Sequence, residues 1–188
     1  RWHNAGKLEH SAVTFSDFVA AAEGMFNAGF TSPNKLALEG GSAGGLLVAA
    51  AINLRPDLAK VVVAQVPFVD CLNSMLDPTL PATTLDYPEY GNPEEERYYR
   101  SIKSFAPYEN IGEFDYPDIL AIQGINDSRV AFWEPAKWVA RIREKRSDKD
   151  GLTLLRMNMG SGHGGSSGRS DAIMEKAEWQ AFILDRIN

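Results

Sequence analysis

Cysteine is almost missing from this sequence. Cys71 is the single thiol in 188 residues, so no disulfide forms within the chain, which suits a reducing compartment and points to a cytoplasmic protein. Cys71 follows Asp70 beside an apolar run and reads as a small buried thiol. Histidine is scarce too, at three. These are not clustered, and there is no H-E-x-x-H pattern and no cysteine pair, so no metal or other cofactor is implied. No run approaches the roughly 18 apolar residues of a membrane-crossing helix, and no basic-then-apolar leader opens the chain. An excess of positive charge is also lacking. The net charge of −6 disfavours nucleic acid or an anionic membrane as the main partner. What remains is ordinary globular material, 44% hydrophobic and 23% charged, of a length that favours one domain. Arg1-Trp2-His3-Asn4, with no initiating Met, reads as the interior of a longer polypeptide.

The elements present alternate between helix and strand. Residues 1–12 are polar and read as loop. Thr14 to Asp17 resembles a capping box, and Phe15, Phe18, Val19, Ala22 and Phe26 recur at helical spacing, predicting a helix over 14–28 that Gly29 stops. Leu36 to Glu39 is a short buried strand. The Ala- and Leu-rich run 43–54 is a helix apolar all round, so it must be covered on most sides. Residues 61–66, Val-Val-Val-Ala-Gln-Val, form a strand buried on both faces. Residues 67–96 are rich in proline and read as a long irregular excursion. A helix over 94–104, a strand over 118–123, a helix over 134–145, a strand over 153–157 and a closing helix over 170–187 follow. This order predicts an α/β fold, a mostly parallel sheet with helices on both faces.

Gly40-Gly41-Ser42-Ala43-Gly44 stands where the first strand meets the apolar helix, and it fits the G-x-S-x-G nucleophile elbow. Glycines suit the strained turn. Ser42 then stands at a helix N-terminus, where free N–H groups favour a developing negative charge. A serine nucleophile needs a base, and the base needs an acid. In open α/β sheets such groups gather past the carboxyl ends of strands. His163, in Gly160-Ser161-Gly162-His163-Gly164-Gly165, follows the last strand and is the candidate base. His3 and His10 lie in polar sequence before the first helix and read as surface residues. Asp127, in Gly124-Ile125-Asn126-Asp127-Ser128-Arg129-Val130, is the candidate acid, with Asp70 as its rival. The chain order Ser42, Asp127, His163 matches that of α/β-hydrolases. The chemistry expected is acyl transfer, with the Ala43 N–H as oxyanion donor.

These segments together resemble the C-terminal part of the catalytic domain of prolyl oligopeptidase-family serine peptidases, closest to the oligopeptidase B (protease II) branch. The likeness is carried by the elbow through Leu47, Val66-Pro67-Phe68-Val69-Asp70, Tyr90-Gly91-Asn92-Pro93, Gly124 to Val130, Trp133 to Val139 and Gly162 to Arg169. The resemblance implies an α/β-hydrolase domain, represented here by part of it, whose first strands and capping β-propeller are not in this chain and would be its partners. It implies a short peptide as substrate and Ser42, Asp127 and His163 as the triad. It also implies Arg129 as the grip on a substrate carbonyl. The proline-cleaving branch carries a tryptophan in the loop after Asp70, and Thr83-Thr84-Leu85-Asp86 has none. The oligopeptidase B branch holds a basic side chain between carboxylates. Asp86 matches the first of these acids, Pro88 replaces the second, and Glu89 stands next in line, with Phe68 as a further wall. An esterase or acyl-peptide hydrolase on the same fold, and a non-catalytic fragment, are the alternative readings. The family's second oxyanion donor lies upstream of Arg1, so the 188 residues alone are expected to be poorly stable or inactive.

Overall fold

The computed structural model describes residues 1–188. Four strands, β1 (Ala37–Gly41), β2 (Val61–Gln65), β3 (Asp118–Gly124) and β4 (Thr153–Asn158), form one sheet in the order β1-β2-β3-β4, every pair parallel. The apolar runs explain which strands lie deepest. Val61 to Ala64 and all of β3 are buried, as strands covered on both faces must be.

Strand alternation sorts the side chains into two layers. Leu38, Val62 and Ile119 are register partners across the sheet. With Ala64 and Ala121 they face a core filled by α2 (Ala12–Asn27), α3 (Ala43–Leu54) and α7 (Trp133–Lys145), through Val19, Ala22, Val48, Ile52, Trp138 and Ile142. Val63, Leu120 and Ile122 face the other way, onto Trp179, Phe182 and Ile183 of α8 (Arg169–Ile187). Helices therefore lie on both faces, as the alternation predicts.

Three expectations need correction. Residues 1–12 hold a short helix α1 (Trp2–Ala5) and a 3₁₀ turn at Leu8–His10. The capping box does not form. Helix α2 begins two residues earlier, at Ala12, and the Thr14 hydroxyl donates to the Gly6 carbonyl at 3.1 Å. The 67–96 excursion is not irregular throughout. It contains α4 (Cys71–Met75) and α5 (Thr83–Tyr90), followed by α6 (Glu96–Phe105). Pro88 lies inside α5 and cannot donate to the helix ladder. Long-range bonds compensate: Thr83 Oγ1 donates to Ser74 O at 2.8 Å and the Tyr87 hydroxyl to Met75 O at 3.2 Å. A second apolar cluster, with Phe15, Leu46, Phe68, Leu72, Met75 and Phe105, seats these helices beside the start of α3.

Candidate active site

Ser42 joins β1 to α3 with φ +56° and ψ −117°, a conformation that costs a residue with a side chain about 1–3 kcal/mol. Its surroundings hold it there. Ser42 N donates to Gln65 O at 2.9 Å, and its own carbonyl accepts from Leu46 N and Phe68 N, each at 3.1 Å. A Cβ on Gly40 would lie 2.1 Å from the Gly44 carbonyl oxygen, and one on Gly45 2.5 Å from Pro67 Cβ, whereas one on Gly44 would meet open space. Close packing at the elbow therefore rests on Gly40 and on Gly45, a residue outside the pentapeptide. Ala43 is the first residue of α3, so its N–H lies ahead of the helix ladder.

The three strand-end loops converge on this serine. His163 Nε2 is 3.1 Å from Ser42 Oγ. On the far side of the ring, Nδ1 is 2.8 Å from Asp127 Oδ2 and 3.1 Å from Oδ1. Asp127 Oδ1 also accepts from the backbone N–H of Arg129 at 2.8 Å and of Val130 at 3.0 Å. The Asp127 side chain is fully buried and that of His163 is 21% exposed. This is the geometry of a nucleophile, a base and an orienting acid. The rival acid, Asp70, is elsewhere engaged: it pairs with Lys137 and accepts from Asn73 Nδ2 at 2.7 Å. Sequence reading passes over Gln123. Its amide nitrogen reaches Asp127 Oδ2 at 3.1 Å. The signal available was a lone amide directly after the apolar run Ile119 to Ile122.

A cavity of about 430 Å³ opens beside Ser42 and Ala43, walled by Phe68, Pro81, Ala82, Leu85, Asp86, Tyr90 and Ser128 to Val130. Three residues singled out for substrate binding line it: Phe68, Asp86 and Arg129. Phe68 is also part of the second apolar cluster. Asp86 is half-buried, and burial raises its carboxyl pKa. The Tyr90 hydroxyl is likewise pushed up by burial, and by the nearby Asp86 charge. Arg129 is exposed and makes no ion pair. Glu89 is not in this wall. It turns to the N-terminal segment, 2.8 Å from His3 Nε2. Cys71 is buried among apolar side chains, and that burial drives its thiol pKa up, so it is inert as a nucleophile. No three His, Cys, Asp or Glu side chains are grouped to hold a metal ion.

A parallel α/β sheet that brings serine, histidine and aspartate together from the loops past its strands is the architecture of the α/β-hydrolases. Within that class the chain belongs to the prolyl oligopeptidase family, whose sequence pattern matches residues 1–188. It is 47% identical to Protease 2 of Moraxella lacunata over 186 residues, covering 99% of this chain and 27% of that protein. It is 45% identical to Dipeptidyl aminopeptidase BI of Pseudoxanthomonas mexicana, covering 99% of this chain and 26% of that one. The structure of oligopeptidase B from Leishmania major superposes with a TM-score of 0.94 at 46% identity, over 96% of this chain and 25% of that chain. The chain thus spans about a quarter of the length of these relatives.

Proposed function

We propose that this chain carries the reacting groups of a serine endopeptidase that hydrolyses short peptides through an acyl-enzyme. The observation that carries the reading is the unbroken series from Ser42 Oγ through His163 to Asp127 at 3.1 and 2.8 Å, with the cavity at the serine. In this reading His163 Nε2 takes the Ser42 proton as Oγ attacks the scissile carbonyl. The carbonyl oxygen gains negative charge, and the Ala43 N–H donates to it, an interaction whose loss typically costs about 10²–10³ in rate. Asp127 holds the Nδ1–H tautomer and stabilises the imidazolium. His163 then gives the proton to the leaving amine. Water repeats the cycle on the ester and frees Ser42. Arg129, unpaired at the cavity wall, offers its guanidinium N–H groups to a substrate backbone carbonyl.

For the residue before the cleaved bond, the cavity offers one carboxylate, Asp86. An acid half-buried without a partner favours a cationic side chain. Pro88, and Glu89 paired with His3 outside this cavity, leave no second carboxylate in its wall to grip a guanidinium from both sides. The names of the two bacterial relatives, a protease and an aminopeptidase, agree with peptide hydrolysis. The remainder of the polypeptide, in this reading, supplies a cap that admits short peptides and a second oxyanion donor.

The test is made on the full-length protein. A fluorophosphonate probe is expected to label Ser42, and Ser42→Ala to abolish both labelling and peptide hydrolysis. In a panel of Arg, Lys, Pro and Ala substrates, Asp86→Asn is expected to lower kcat/KM for Arg and Lys about tenfold relative to Ala. Labelling that persists in Ser42→Ala would refute the nucleophile assignment, and equal losses on all four substrates would refute the role of Asp86.

A further inference from the structure

Gln123 is buried completely, one residue before the end of β3 and directly after the apolar run Ile119 to Ile122. Strand alternation puts its side chain on the layer of Ile119 and Ala121, beneath α3 and α7. Burying an amide there is costly unless its polar atoms are paired. Only one end is. Nε2 lies 3.1 Å from Asp127 Oδ2, 3.0 Å from the Val130 carbonyl and 3.2 Å from the Gly124 carbonyl. All three neighbours are acceptors, so the surroundings demand a donor at this spot. The other end, Oε1, is buried and has no partner. A side chain that merely filled this space would do so better without an oxygen. What Gln123 contributes is its N–H groups.

Those groups act on the segment that carries Asp127. Gly124 and Val130 are its two ends, and Asp127 lies near its middle. One amide therefore spans the start, the middle and the end of the turn. The carboxylate itself has a divided set of donors. Oδ1 is held by the backbone N–H groups of Arg129 and Val130, while Oδ2 has the His163 ring and Gln123 alone. Without Gln123 the carboxylate is anchored on the protein side through Oδ1 alone, and Oδ2 loses the one donor besides the imidazole that holds it in line with Nδ1.

We propose that Gln123 is a positioning residue that fixes the Asp127 carboxylate and its loop for His163. The proposal rests on the serine peptidase reading of the site. Its test uses the full-length protein with Gln123→Met, which keeps length and removes the donors, and Gln123→Glu. The Met variant is expected to label with fluorophosphonate, and to turn over peptide, about tenfold or more slowly, with KM within about twofold of wild type. In the Glu variant the protonated carboxyl supplies an O–H donor. The ionised one sets a second negative charge against Asp127, with His163 the other titratable group facing it. Activity of this variant is therefore expected to fall as pH rises, over a range where wild type does not fall. Because that comparison is made within one variant, it stands even if Gln123→Met fails to fold. Wild-type kcat in the Met variant, or a Glu variant with the wild-type pH profile, overturns the proposal. If wild type itself is not labelled, the peptidase reading fails instead. Hydrogen exchange over residues 124–130 then decides for Gln123: faster exchange in Gln123→Met supports it, and unchanged exchange overturns it.

Discussion

At the scale of single residues, the elbow separates three glycines that look alike in the sequence. Gly44 completes the G-x-S-x-G pattern, yet a Cβ there meets nothing, while Gly40 and Gly45 are pressed against Gly44 O and Pro67. Gly44→Ala is expected to leave thermal stability within about 1 kcal/mol of wild type, or to raise it, since alanine is the better helix former. Gly40→Ala and Gly45→Ala are each expected to destabilise by about 1–3 kcal/mol, because rigid backbone stands where the methyl would go. Melting of the three variants in the full-length protein checks the order; a Gly44→Ala loss as large as that of Gly45→Ala would contradict it. The pentapeptide marks the strained turn at Ser42, but Gly45 falls outside the pattern and its contact with Pro67 is made across the fold.

At the scale of elements, the helix following the Asp127 loop also steadies the substrate cavity. Glu134, in the first turn of α7, is buried and accepts from the Asp70 N–H at 2.9 Å and the Ser74 hydroxyl at 2.7 Å. It thereby caps α4 from another part of the chain. Burial is the main reason its pKa is raised to about 7. A carboxyl raised in the fold binds its proton more tightly there than in the unfolded chain. Its contribution to stability is therefore full below about pH 4.5 and declines as pH rises through about 7. The decline is at most about 3 kcal/mol. Gln at this position keeps an acceptor for Asp70 N and a donor for the Ser74 oxygen, so Glu134→Gln is expected to lose that slope; apparent Tm of both proteins at pH 5 and pH 8 measures it, and parallel pH dependences would count against it. The same contacts explain what was legible. The four strands and the helices 43–54 and 134–145 show in the sequence because burial writes periodic or unbroken apolar runs. Helices α4 and α5 do not show, since they are held by Glu134, by the Thr83–Ser74 bond and by the Tyr87 hydroxyl rather than by local pattern. The order Ser42, Asp127, His163 was readable because each follows a readable strand. The turn of Glu89 toward His3 and the reach of Gln123 toward Asp127 depend on how the loops fold back, which no local spacing encodes.

At the scale of the whole molecule, β1 pairs on one side only, and its other edge offers unpaired backbone groups, a template for association. Trp2, Phe30, Ile173, Met174 and Leu184 add exposed apolar surface. The 188 residues expressed alone are expected to aggregate or to melt without cooperativity, and to react with fluorophosphonate far more slowly than the full-length protein. Size-exclusion chromatography and probe labelling test this, and a monodisperse fragment with full peptidase activity would falsify it. The sheet also partitions the chemistry. Strands β1 and β2 with Ser42 precede the proline-rich excursion, and β3 and β4 with Asp127 and His163 follow it, so Ser42 and His163 belong to two lobes of sequence that meet along the parallel seam of β2 and β3. A protease that cut the exposed bend at 76–79 would sever the peptide bond between the lobes and leave that seam in place. Continuity of the site is thus a property of a hydrogen-bonded joint rather than of the covalent thread, and the two lobes are natural halves for a split reporter whose signal is the seam itself.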